Sequence, residues 1–439
     1  MIPIFSAVCA HADDKISFNG NNMDVIALDA KKDTGIDNVF VLYNLTDVSI
    51  TYKSQSNNVR WMTYDNLGGG FAEEISGINI QDDSFTLNNP TGNRGYIIYD
   101  NDKSYTFWLV DYSDYLFNID SINLPLQQDC DAVELDIKCN ASTIHYYTIN
   151  GRQETLDRDI TLGYNTLVWD EQSMNYLQED VLKTYASISD RIMVSPPPYC
   201  NTYFSITGDR FLEYWRMTKS LDSSLYITTA VDCFTEALQS SEDTNDDSNK
   251  IGTDVDGLGG SAPCAITFNA FVTDAVIHNE WQMSNDEEFE DITYRINEQN
   301  FTYTFTNEGM TYVRYIGSNS DGSCETVGDV YTVSIGASEL LVPNAFSPND
   351  DGVNDIWKIS YRSLIDFECW IFDKQGHQLY HFTDPAGGWD GKRNGKAVKP
   401  GVYYYVINAT GSDGKKYKKS GDINIIGYKG GQSSPSIQD

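Results

Sequence analysis

From Val342 to about Tyr428 the chain alternates short apolar and aromatic segments with strong turn signals, a pattern that short strands satisfy and long helices do not. Phe367, Cys369 and Ile371 alternate with Trp370 and Phe372, a period of two that sets the first three on one strand face and the other two on the opposite one. Val402 to Ile407 is β-branched and aromatic throughout, as strand interiors are. Pro348-Asn349-Asp350-Asp351-Gly352, Gly376, Gly387-Gly388, Pro400-Gly401 and Asp413-Gly414 punctuate the stretch. Asp413-Gly414 reads as a tight type I′ hairpin. About seven strands at roughly ten-residue spacing predict an all-β sandwich.

Four ordered motifs in this stretch carry a family likeness. The opening runs through Pro343, Asn344, Phe346, Ser347, Pro348, Gly352, Asn354 and Asp355. A second motif is Gly388-Trp389-Asp390-Gly391, a third contains Gly401 and Tyr403, and the last is Gly421-Asp422. Together they resemble the gliding-motility-associated C-terminal domain, the type B sorting domain of the type IX secretion system of Bacteroidota. The resemblance spans roughly residues 340–428 and departs from the family at Asp350, where glycine is usual. It implies export, with an outer-membrane β-barrel of the secretion and surface-assembly system as the partner that receives the domain. It does not say what the exported cargo does.

A chain of 439 residues holds three or four domains. Its net charge of −34 is unevenly spread: 12 Lys+Arg stand against 12 Asp+Glu from Gly336 onward, and 18 against 52 before it. So acidic a body argues against binding to nucleic acid and to anionic lipid surfaces, and fits a soluble extracellular protein. Residues 1–12 resemble the remnant of a signal peptide, with an apolar run from Ile2 to Val8 and a small-residue cleavage site at Ala10-His11-Ala12. No segment has the 18 apolar residues that a membrane-spanning helix requires.

Residues 13–125 read as a first β-sandwich, with Trp61 in its core and Gly68-Gly69-Gly70 as a hairpin tip. Cys130, Cys200 and Cys264 each precede an alternating segment, 70 and then 64 residues apart, which suggests a string of small β domains. A β-rich immunoglobulin-like unit is expected over 126–195, with the only helix of any length from Glu171 to Ser189. Pro196-Pro197-Pro198 reads as a stiff linker into a small β unit, 196–256, that ends in an acidic, glycine-rich loop. Residues 257–335 show the order Cys264, Trp281, Tyr312, Cys324, similar to an immunoglobulin- or PKD-like sandwich. The sorting domain occupies 336–439.

Eight cysteines behind a signal-like start point to an oxidising compartment. Cys264 and Cys324, at the two ends of one module's sequence, are the expected disulfide, and Cys369, on a buried strand face, the expected free thiol. Asn349, Asp351 and Asp355 fall at ligand positions of a calcium loop, although Ser347 and Lys358 occupy its first and last positions in place of acidic residues. The competing reading is that these Asx side chains bond their own backbone. The histidines fit no catalytic motif, His377 and His381 would share one strand face, and no cofactor is implied. Lys415, Lys416, Lys418 and Lys419 mark either a protected sheet edge or a docking face. Tyr146-Tyr147, Tyr214-Trp215 and Tyr403 to Tyr405 are either core pairs or platforms for a surface glycan.

The expected protein is a secreted or surface-displayed rod of sandwich domains with a structural or adhesive role and no catalytic activity. A carbohydrate-binding module is the second reading and a secreted hydrolase the third.

Overall fold

The computed structural model describes residues 15–20, 24–66, 72–126, 129–239, 249–252 and 257–427. The signal-like start, the Gly68–Gly70 turn and most of the acidic run lie outside those residues. The all-β expectation holds: the described helices are a single α-turn, Arg210–Tyr214, and a 3₁₀ turn, Tyr112–Tyr115. The chain divides into two compact units, Met1–Val168 with Leu177–Ala230 and Trp169–Tyr176 with Val231–Asp439.

The first unit opens with a four-stranded sheet (Ile16–Asn19, Ser49–Lys53, Ser84–Asn88, Asn79–Gln81) facing a six-stranded one in which Asn38–Leu42 runs parallel to Lys103–Asp111. Trp61, Phe40, Ile50, Ile98 and Phe107 are buried between them. Asn38–Leu42 (NVFVL) is buried at every position. Phe40 and Leu42 face that core, while Val39 and Val41 join a second cluster on the other side. A strand apolar on both faces is what two-sided burial demands.

That second cluster belongs to residues 118–226, where Val39, Trp108 and Val110 share a core with Leu135, Ile144, Ile160, Phe204 and Ile206. Its sheets are Asn118–Asn123, Val133–Asn140, Arg191–Val194 and Asn175–Tyr185, Ile160–Asp170, Ser205–Gly208, Lys219–Asp222. Two expectations fail here. The expected helix at 171–189 is instead the strand Asn175–Tyr185, second arm of a hairpin with Ile160–Asp170. The expected boundary at 195/196 cuts one sandwich, since Ser205–Gly163 and Thr207–Thr161 are strand partners across it. Pro197 and Pro198 are buried, and Pro198 O accepts a hydrogen bond from Thr228 Oγ1 (2.6 Å), so this proline run is interior packing rather than a linker.

A buried ion pair ties this unit together. Arg158 and Asp209 have fully buried side chains with Nη2 and Oδ2 2.6 Å apart. Arg158 also donates to the carbonyls of Ser142 (2.8 Å) and Tyr115 (2.7 Å), while Tyr112 Oη donates to Asp209 at 3.0 Å. Asp209 further caps the α-turn by accepting from Leu212 N. Every charge-bearing atom thus has a partner, the condition under which such a pair is tolerated in a core.

The second unit contains an immunoglobulin-like sandwich and the C-terminal domain. The sandwich pairs Cys233–Gln239, Cys264–Val272 and Asn300–Phe305 against a sheet built on His278–Ser284 and Gly309–Ser318. Cys233–Gln239 is therefore an integral strand of this module, not part of the small preceding unit expected over 196–256. Trp281 is the buried centre, packed on Phe268 and Tyr315, with Nε1 donating to Gln299 O (3.0 Å). Trp169, from the segment Trp169–Tyr176, stacks on Phe234 at 4.2 Å.

In the C-terminal domain, a sheet runs in the order Ala345–Phe346, Lys416–Ile425, Gly401–Gly411, Leu364–Phe372, Gln378–Phe382. As the alternation predicts, Phe367, Cys369 and Ile371 are buried while Trp370 and Phe372 are half-exposed. The Asp413-Gly414 turn is not type I′, because only Gly414 takes a positive φ (+76°). Gly411 N bonds Lys415 O and Gly414 N bonds Gly411 O, giving the longer loop with one left-handed glycine.

Candidate functional site

The four sequence motifs converge on two tryptophans of the C-terminal domain. Trp357 and Trp389 face each other in an isolated antiparallel bridge, exchanging backbone hydrogen bonds of 2.9 and 3.0 Å. Both are fully buried. Trp357 Nε1 donates to Pro343 O (2.8 Å) and Trp389 Nε1 to Lys392 O (2.9 Å). Phe346 and Tyr403 lie 5.7 and 5.3 Å from Trp389, and Tyr405 lies 5.4 Å from Trp357. These are favourable aromatic separations, and each indole N–H inside the core is satisfied.

Two motif glycines make room for this arrangement. A Cβ on Gly388 would stand 2.7 Å from Trp357 O, and one on Gly421 2.8 Å from the Tyr405 hydroxyl. Asp422 accepts from Asn424 Nδ2 (2.9 Å), which also reaches Asn344 O (3.1 Å). The motif set therefore encodes a core and its close approaches. The motif residues left exposed are Pro343, Asn344, Gly352, Asn354, Gly401 and Asp422, the first four beside exposed Asp351, Val353 and Ile356. Lys392 pairs with Asp390 at 3.0 Å, which raises its pKa, and it also feels Asp350. Trp357 was absent from the motif residues singled out by sequence. Its signal was the one aromatic directly behind the Asx-rich turn.

The loop 347–355 is organised around the Asp355 carboxylate. Asp355 Oδ1 accepts from Asn349 N (2.8 Å) and Asp350 N (2.7 Å), and Oδ2 accepts from Gly352 N (2.7 Å). Asp351 accepts from Val353 N and from Asn349 Nδ2, both at 2.8 Å. The oxygens of Asn349, Asp351 and Asp355, the residues expected at calcium-ligand positions, accept N–H donors of the loop, the arrangement that the Asx-turn reading describes. Among the described residues no three His, Cys, Asp or Glu are placed to hold a metal. Desolvation pulls the Asp355 pKa up, but the amide bonds from Gly352, Asp350 and Asn349 outweigh it and hold the group below the usual carboxylate range. Asp350 has φ +60°, a left-handed position that explains the family's glycine and that Asp tolerates.

The Cys264–Cys324 disulfide is also corrected. Cys264 is a buried free thiol, whereas Cys324 and Cys130 are each disulfide-bonded. Cys264 opens the strand Cys264–Val272, and the far end, Val272, pairs with Cys233. Cys233 Sγ touches Thr326 Oγ1 (3.4 Å), two residues from Cys324. The two cysteines thus stand at opposite ends of a nine-residue strand, roughly 26 Å at the strand rise, far beyond disulfide reach. Cys369 is a free thiol as expected, its pKa pushed up to about 12 by burial.

His377 leaves the strand for the preceding turn, where it pairs with Asp373 (3.0 Å), while His381 stacks on Trp370 at 5.1 Å. Tyr146 and Trp215 are core residues, and Trp215 Nε1 donates to Asp24 O. Lys416 and Lys418 are exposed on a strand that pairs with Gly401–Gly411 on one side and with the two-residue Ala345–Phe346 on the other, and Lys419 Nζ donates to Leu340 O (2.7 Å). That placement favours edge protection.

Comparison with known families agrees with this geometry. The CHU_C type IX secretion signal domain matches residues 340–425, and a fibronectin type III domain matches residues 124–223. The C-terminal domain is a type IX secretion signal domain, which implies export through that system to a secreted or surface location and contact with its machinery. The fibronectin match spans the 195/196 boundary, as the strand pairing does. No curated protein matches the chain. Similar solved structures include a tetra-tandem repeat from the extending region of a large adhesion protein (10% identity, 88% of this chain and 98% of that one, TM-score 0.23). Another is the chicken CNTN1 FN1–FN3 domains (12%, 70% and 98%, 0.24), and a third the Clostridium thermocellum CbhA fibronectin(III)-like modules (12%, 46% and 100%, 0.19). Alignments this loose establish neither a shared domain arrangement nor a shared activity. Among the described residues no helix is long and apolar enough to cross a membrane.

Proposed function

We propose that this protein is a non-catalytic structural protein, exported to the outer face of the outer membrane and serving there in surface architecture or adhesion. Its sandwich modules form the exposed body, and an outer-membrane β-barrel of the type IX system receives the C-terminal domain. The observation that carries the reading is the convergence of four separated motifs on the Trp357–Trp389 pair, which makes the signal domain a complete folded module. The acidic body before Gly336 suits an extracellular surface. Of the aromatic pairs considered as glycan platforms, Tyr146 and Trp215 are interior, whereas Tyr214 and Tyr404 are exposed.

Deletion of residues 340–439 tests this. In a type IX-secreting host, protease added to intact cells is expected to digest the full-length protein and to spare the truncated one. Equal digestion of both would defeat the proposal.

A further inference from the structure

The immunoglobulin-like module does more than precede the signal domain in sequence. Residues 249–251, which lie in sequence between its strands Cys233–Gln239 and Cys264–Val272, make an isolated parallel bridge onto Ser360–Arg362 of the signal domain at Lys250–Tyr361. Tyr361 N donates to Asn249 O (3.0 Å) and Ile251 N to Tyr361 O (2.7 Å). The Asn249 side chain spans two carbonyls, Ile359 O (2.5 Å) and Pro385 O (2.9 Å). A second set of bonds lies alongside. Ser363 N donates to Ser261 Oγ (2.7 Å), and Ala262 N donates to Ser363 Oγ (3.2 Å). Tyr361, Ser363 and Ala262 are buried, so these bonds are shielded from water, and breaking them would leave buried donors unpaired.

We propose that residues 249–251 are a cis strand clamp that holds the signal domain to the immunoglobulin-like module independently of the peptide link between them. Strand addition to a sheet edge is a recognised binding mode in which main-chain hydrogen bonds supply the affinity. A chain cut between the two modules then keeps its signal domain. The inference concerns contacts inside the second unit and holds whether or not the export reading does.

A specific protease site inserted between Ala337 and Ser338 of the full-length chain tests the clamp. After cleavage, the two pieces are expected to co-elute on gel filtration at micromolar concentration. With Asn249→Ala and Ile251→Pro, which remove two side-chain bonds and one backbone donor, the retained fraction is expected to fall at least tenfold. Separation of the unmutated pieces overturns the proposal, as does equal retention in the variant. Hydrogen exchange on the uncut protein gives a readout that does not depend on the variant's yield. The Tyr361 and Ile251 amides are expected to be protected, and fast exchange at both would also overturn it.

Discussion

The two places where modules meet inside a unit are built differently. In the first unit, one apolar cluster runs from Val39 and Trp108 of the opening sandwich into Leu135, Ile160 and Ile206 of the fibronectin-like domain. A buried Arg158–Asp209 pair, bonded to residues of both, sits within it. In the second unit, the immunoglobulin-like module and the signal domain keep separate cores, one on Trp281 and the other on Trp357 and Trp389. Backbone and hydroxyl hydrogen bonds join them. A shared core makes two domains one folding event, because neither can lose its partner without exposing apolar surface. A hydrogen-bonded seam leaves each domain able to stand alone.

Arg158→Ala should have the largest effect and breaks the comparison most directly. It leaves the Asp209 carboxylate buried without its counter-charge, a change that costs about 3–5 kcal/mol. Tyr112 and Tyr115 belong to the opening sandwich, Ser142 and Asp209 to the next domain, so both should lose stability together. Amide exchange at Ile50 and at Ile206 measures each separately. Acceleration at only one would show that the two fold independently.

Gly388→Ala comes next and stays in one domain. Its Cβ would meet Trp357 O at 2.7 Å, and forced displacement in a packed core costs about 1–3 kcal/mol. Exchange at Ile407 in the signal domain should accelerate while exchange at Val313 in the neighbouring module holds. Equal acceleration at both would mean that the seam couples the two cores after all.

Much of this was legible in the sequence where periodicity and turn chemistry act locally. The Phe367/Cys369/Ile371 alternation gave the buried face of its strand, and the four motifs located the signal domain. Illegible parts depended on distant partners. The stretch 171–189 holds Glu171, Gln172, Leu177, Gln178, Glu179, Leu182 and Lys183, good helix formers, yet pairing with Ile160–Asp170 makes Asn175–Tyr185 a largely exposed strand, and pairing overrides propensity. Pro196–Pro198 carried a linker's composition, and only the fold shows Pro198 bonded to Thr228. Cys264 and Cys324 frame one module in sequence, but strand direction sends them to opposite ends. The Asx-rich loop partly matched a cation site and fitted backbone-bonded Asx turns better, and the N–H groups that point at Asp355 show those turns.

Acidification should produce the smallest effect and sharpen the contrast between units. Among the described residues, the six aspartates held below the usual carboxylate range, Asp170, Asp286, Asp321, Asp355, Asp373 and Asp413, all belong to the second unit. For Asp413 the leading cause is the Ser338 hydroxyl, bonded at 2.6 Å. A carboxyl whose pKa is lower folded than unfolded binds fewer protons in the native state. Its stabilising contribution is complete above the unfolded value of about 3.9 and is lost as pH falls through the folded one. Between about pH 4 and pH 2 the second unit should therefore lose more thermal stability than the first. Asp355→Asn should lower the melting point of the signal domain at pH 7 and make it less steep in acid, because the neutral amide cannot replace the carboxylate's hold on three backbone N–H groups. Calorimetry across that range checks both expectations. A first unit that melts earlier in acid than the second, or an Asp355→Asn protein with an unchanged acid slope, would place the titrating groups elsewhere.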